Sequence, residues 1–412
     1  MKITSDFAPP IHYIAPFFVI GAIFNLLAMS ALFWIKLNER YADLAVVGWA
    51  HLFLVGFVIT TILGAMGQLV PVVLEIGHSF VKVFVALPYL LTIGILILVG
   101  GFWFNVKLLP YGGMIIFTAV AMYIFDIFAT LIKRKNSSLS VNSIGVGHIF
   151  LFLAVLMGLL LVSGFVYGVG FDIQVVYLSH VVFAVGGYVF LIIIGISIIL
   201  LPMFGLAHGF DKRPAELAFW LVIIGILCIG IFKLIDFPIG VSLGFGALLT
   251  ASALFIYQVF TIYKKRARKE RDIWFKSLSV SFGSLLVSFY SMLAAIVVND
   301  QRFINFSGFL FGVGFLSFLI TGHFFKIIPF LVWFDKFSPL VGKQKVPMLS
   351  EMIPIKDAEY QLWFSFAGLL SCGFAILFNI NELWYCGVSF LVVGGMFLLV
   401  GVVKMLKFEG RY

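Results

Sequence analysis

Apolar runs of about 17 to 28 residues recur along this chain with only short polar breaks. A helix needs about 20 such residues to cross a bilayer, and lipid leaves backbone groups no partner but one another. Twelve runs satisfy that demand: about 12–35, 44–70, 83–105, 110–132, 145–168, 176–201, 217–233, 239–262, 277–298, 304–330, 361–379 and 384–405. The fold class is therefore all-α integral membrane, and residues 1–412 read as one transmembrane domain. The first run follows no cleavage-type motif and reads as a retained span. A chain that is 63% hydrophobic and 11% charged is no soluble enzyme, disordered segment or disulfide scaffold. Cys228, Cys372 and Cys386 stand in apolar runs at no metal-ligand spacing and read as small buried hydrophobes.

The few charges sort by side. One set of loops is basic: Lys133 to Lys135, Lys212 and Arg213, the run Lys264 to Arg271, then Lys336, Lys343, Lys345 and Lys356, with Lys2, Lys404, Lys407 and Arg411. The alternate loops are mixed or acidic, as at Lys36, Glu39, Arg40 and Asp43, or at Asp172, Asp300 and Glu382. This asymmetry, with an even number of spans, predicts both termini in the cytoplasm. The net charge of +9 reads as topology rather than nucleic-acid binding, and the partner common to every span is the lipid bilayer. Residues 263–276 either fix topology or bind a soluble partner or anionic lipid. Residues 334–360 carry Pro339, Pro347 and Pro354 and read as an ordered surface loop with short helices.

A pattern G-x7-G-x6-P occurs three times: Gly56, Gly64 and Pro71 in span two; Gly187, Gly195 and Pro202 in span six; Gly314, Gly322 and Pro329 in span ten. The period is four spans, giving internal repeats at about 1–135, 136–265 and 266–412. By α-helical count, glycines eight apart stand about 80° from a common face. They then occupy adjoining faces, where Gly56, Gly187 and Gly314 allow close approach of a neighbouring backbone or a flat ligand. Each proline is expected to end or kink its helix.

Each of these spans also has a polar residue near its other end: His51, His180 and Ser307. Both histidines follow a loop aspartate (Asp43, Asp172) by eight residues, which sets them about 12 Å inward. An imidazole at that depth is a functional candidate, the alternative being a hydrogen-bonded packing residue. His148 and His323 are lesser candidates, and Lys326 is expected to snorkel to the surface. His12, His78 and His208 read as solvated residues at loop margins. No carboxylate reads as mid-span, which argues against a proton-coupled carrier with an acidic switch.

The stretches Trp49-Ala-His51-Leu-Phe-Leu-Val-Gly56, Gly64-Ala-Met-Gly-Gln-Leu-Val-Pro71 and Gly322-His-Phe-Phe-Lys-Ile-Ile-Pro329 resemble subunit I of the haem-copper oxidase superfamily. Phe7-Ala-Pro-Pro10 and Pro16-Phe-Phe are similar to the start of uncharacterised bacterial membrane proteins near the NnrS-type nitric-oxide-response group. The resemblance implies three four-helix arcs and an axial haem ligand at His51. It also implies histidines that are missing: span ten reads Phe306-Ser307-Gly308-Phe309, and span seven has none beside His180 of span six. A complete oxygen-reducing centre cannot be built from these residues. What the resemblance leaves is haem b on His51, with His180 as second ligand or neighbour, or more weakly a copper ion on the same pair. Expected roles are respiratory electron transfer, response to NO or O2, or haem and copper handling beside respiratory or assembly-partner membrane proteins. The alternatives are a transporter or channel, or an assembly subunit without cofactor.

Overall fold

The computed structural model describes residues 7, 9–37, 39 and 43–410. Ala8, Lys2, Arg40 and Arg411, invoked above, lie outside them. Every extended element among the described residues is helical, and twelve helices are long and apolar enough to cross a membrane. They are Ile11–Trp34, Leu44–Leu74, Val83–Trp103, Val106–Leu131, Leu139–Tyr167, Ile173–Gly205, Arg213–Leu234, Pro238–Lys265, Ile273–Val298, Gln301–Lys336, Ile355–Phe378 and Asn381–Leu406, numbered here as spans one to twelve.

Most spans start earlier than the apolar run because polar residues form their first turn. Ser138, Asp172, Asp272 and Asp300 each accept a backbone N–H at a helix start, which satisfies donors that have no partner within the helix. Large apolar side chains stay exposed along the spans, among them Phe125, Leu243, Ile296 and Phe374. Such a surface suits lipid and not water. The loop after span ten holds two short 3-10 turns, Ser338–Leu340 and Leu349–Met352, as expected. It is pinned by Trp333, whose indole N–H donates to the Pro347 carbonyl at 2.8 Å.

The chain divides into two compact units that do not follow the repeat boundaries. The first is residues 1–8 and 69–269, holding spans three to eight; the second is residues 9–68 and 270–412, holding span one, most of span two, and spans nine to twelve.

In the first unit, spans three and four close on Gly94 and Gly112, where a Cβ on Gly112 would stand 2.9 Å from the Gly94 carbonyl oxygen. Spans seven and eight close on Gly225 and Gly244, where a Cβ on either would stand 2.8 or 2.7 Å from the other's carbonyl oxygen. In the second unit, spans eleven and twelve repeat the device, a Cβ on Gly368 standing 2.7 Å from the Gly387 carbonyl oxygen. Backbones meet there because no side chain intervenes, the usual route to tight helix pairs in lipid. The same joint thus recurs every four spans.

Candidate functional site

Spans two, six and ten share a backbone feature with no residue signature. Each contains a π-helical segment, Leu52–Ile59, Val182–Phe190 and Leu310–Leu316, and the first repeat glycine lies inside it each time. Bonding from i to i+5 takes one extra residue into the helix, so eight steps turn through about as much as seven α-helical ones. Seven steps fall only about 20° short of two full turns. The two glycines therefore share one face, correcting the α-helical expectation of adjoining faces.

That face lies on the preceding span. Gly56 and Gly64 meet Phe24 and Phe17; Gly187 and Gly195 meet Phe150 and Ser143; Gly314 and Gly322 meet Ser284 and Ser277. The partners are seven residues apart in every pair, the α-helical spacing of a single face. What approaches Gly56, Gly187 and Gly314 closely is a side chain of this protein. The prolines differ among themselves. Pro71 and Pro202 stand three residues before their helix ends, whereas the helix runs on past Pro329 to Lys336.

Counted from the first glycine, position −7 is Trp49, His180 and Ser307. Each donates to a carbonyl on the preceding span: Trp49 Nε1 to Ala28 at 3.0 Å, His180 Nδ1 to Ala154 at 2.7 Å, and Ser307 Oγ to Ser288 at 2.9 Å. Each acceptor lies four residues beyond the residue facing that glycine. An indole, an imidazole and a hydroxyl thus make one recurring clasp. The counterpart of His180 is Trp49, not His51. His180 also packs against span five, its Cε1 3.1 Å from where a Gly158 Cβ would be.

His51 stands at position −5, where span six has Val182 and span ten has Phe309. Its Nδ1 is 2.8 Å from the carbonyl of Val47, one turn back in its own helix, and its ring sits immediately before the π segment. A carbonyl only accepts, so Nδ1 carries the proton and the lone pair belongs to Nε2. No helix-pairing role shared among the repeats accounts for an imidazole at this position.

The remaining candidates go elsewhere. Lys326 does not snorkel freely: its ammonium is 2.6 Å from the Asp272 carboxylate at the start of span nine, with side chains 13% and 27% exposed. It also lies over the Trp274 ring at 5.8 Å. His323 bonds the Leu319 carbonyl at 2.7 Å and meets Trp274 edge-on. His148 is fully buried in span five, its Nδ1 2.6 Å from the Ile144 carbonyl.

Two expectations fail in the first unit. Asp126 is a fully buried carboxylate inside span four, and His78 is not solvated. The His78 Nδ1 is 2.6 Å from one Asp126 oxygen, and the Phe80 N–H donates to the other at 2.6 Å. Ser79 N–H donates to Thr130 one turn on. The loop before span three is thereby tied to span four, and the carboxylate's burial is met by two donors.

A second omission was legible. Ser277, Ser281, Ser284, Ser288 and Ser291 follow steps of four and three on span nine, and all are buried. Four of them donate to carbonyls of span ten, at Phe318, Phe315, Ser307 and Phe303.

Among the described residues, no three His, Cys, Asp or Glu side chains form a metal-holding group, so an all-protein copper site finds no third ligand there. For haem the donor chemistry of His51 fits: with Nδ1 held by the Val47 carbonyl, a bond to iron would fall to Nε2, the tautomer that metal-ligating histidines use. No protein-family model and no curated protein matches the chain.

Proposed function

We propose that the protein is a haem-binding member of the oxidase subunit I-like group of bacterial inner membrane proteins, with His51 as axial ligand. Electron transfer or diatomic gas binding is its role, without oxygen reduction. The observation that carries this reading is the register of His51. Repeat architecture accounts for Trp49, His180 and Ser307 as clasps, and accounts for nothing at position −5. An imidazole inside a membrane span is a functional candidate by default, and π segments gather at functional sites. Bound haem would supply one-electron redox change or an open position for a small gas. The chain's own part is to fix the His51 tautomer through Val47 and to hold span two rigidly on span one through Gly56, Gly64 and Trp49. His180 serves the scaffold.

The test is the reduced-minus-oxidised optical spectrum of protein purified after haem-replete expression, compared with His51→Ala. A haem signal that disappears in the variant, with the fold retained, supports the reading. Wild-type protein free of haem would sink it and leave transport or an assembly role.

A further inference from the structure

Tyr123 of span four, His148 of span five and Tyr188 of span six are each fully buried in the first unit. The imidazole stands between the phenols, with ring centroids 5.3 Å from Tyr123 and 5.3 Å from Tyr188. Tyr123 Oη, Tyr188 Oη and His148 Nε2 make no hydrogen bond to any group of the protein. Three orphaned polar atoms on touching rings are unusual, since buried polar groups almost always have a partner.

We propose that these three side chains form a binding site for internal water, independent of any haem. The donors and acceptors match. His148 Nδ1 gives its proton to the Ile144 carbonyl, so Nε2 is an acceptor. A phenol hydroxyl both donates and accepts. A buried water commonly makes about three hydrogen bonds to otherwise unsatisfied groups. One that donates to Nε2 and bonds to both hydroxyls satisfies all three. Phe84, edge-on to Tyr123 at 5.9 Å, adds an apolar wall. Tyr188 enters through the π segment of span six, next to Gly187. Water held here gives His148 a proton-exchanging partner inside the span.

Two measurements on the whole protein test this. Synchrotron hydroxyl-radical labelling read by mass spectrometry generates radicals from bound water in place. Tyr123 and Tyr188 are expected to be labelled several-fold faster than the equally buried Phe18 and Phe255, and the excess is expected to vanish in His148→Leu. Thermal melting of Tyr123→Phe and Tyr188→Phe gives the second reading. Removing a hydroxyl bonded to water lowers the midpoint, whereas removing a dry orphan raises it. Labelling no faster than the buried phenylalanines, or Phe variants that melt as high as wild type or higher, overturns the proposal.

Discussion

Substituting Gly56 by Ala puts a methyl against one ring. The new Cβ would stand 2.8, 2.9 and 3.1 Å from three atoms of Phe24, where ordinary contact begins at 3.4 Å. The ring must retreat by about 0.6 Å, yet Phe24 is only 2% exposed and has no solvent side to swing into. Overpacking of this kind costs about 1–3 kcal/mol. Alanine recovers about 0.5–1 kcal/mol as the better helix former, so the net loss is about 0–2.5 kcal/mol. Gly186→Ala is the control, because its nearest neighbour is an Ile226 methyl at 3.6 Å. That variant is expected to be neutral or slightly more stable. Phe24→Ala alone costs about 3–5 kcal/mol. In the double variant the alanine methyl enters space the ring has left, so the two losses add to less than their sum, by at least about 1 kcal/mol. Reversible unfolding in mixed detergent measures each corner of the cycle. Gly56→Ala as stable as Gly186→Ala, or losses that add within about 0.5 kcal/mol, would refute the single-face packing argued for spans one and two.

Two further outcomes follow. His78→Ala strands the Asp126 carboxylate in the protein interior and should cost about 3–5 kcal/mol, as breaking a buried pair does; Asp126→Asn, which removes the charge and keeps an acceptor, should cost less in the same assay. His180→Leu should lose a few tenths to about 2 kcal/mol, the range for one hydrogen bond between membrane helices, while keeping any haem signal intact; a spectrum abolished by His180→Leu in folded protein would return that residue to the ligand set.

The spans were legible because lipid permits one solution to the backbone, and an apolar run of sufficient length has to adopt it. Spans two, six and ten also announced themselves through Gly and Pro, whose spacing survives in the chain. The π segments did not, since the shift from i→i+4 to i→i+5 bonding leaves ordinary residues such as Leu52, Val182 and Leu310 in place. Without that extra residue in the turn, sequence spacing aligns the repeat only loosely and places His51 beside His180. The hydrogen bonds of Trp49, His180 and Ser307 supply the register that single-chain spacing lacked. Asp126 is hidden in the sequence because its neighbours are Tyr, Ile and Phe, and a carboxylate satisfied by His78 and the Phe80 N–H leaves no local mark. The serine row on span nine was readable from its steps of four and three alone.

The π segments carry a historical consequence. An extra residue in a helix turn is what a one-codon insertion leaves behind when the flanking contacts are too valuable to slide. In three spans the insertion falls, to within one residue, at the same distance from the same glycine and the same clasp. If the repeats descend from a common ancestor, one event before the first duplication accounts for all three, and the bulge is older than the twelve-span chain that carries it. Relatives of this protein can then be sought among shorter chains, by a four-span unit with one residue too many in its second helix.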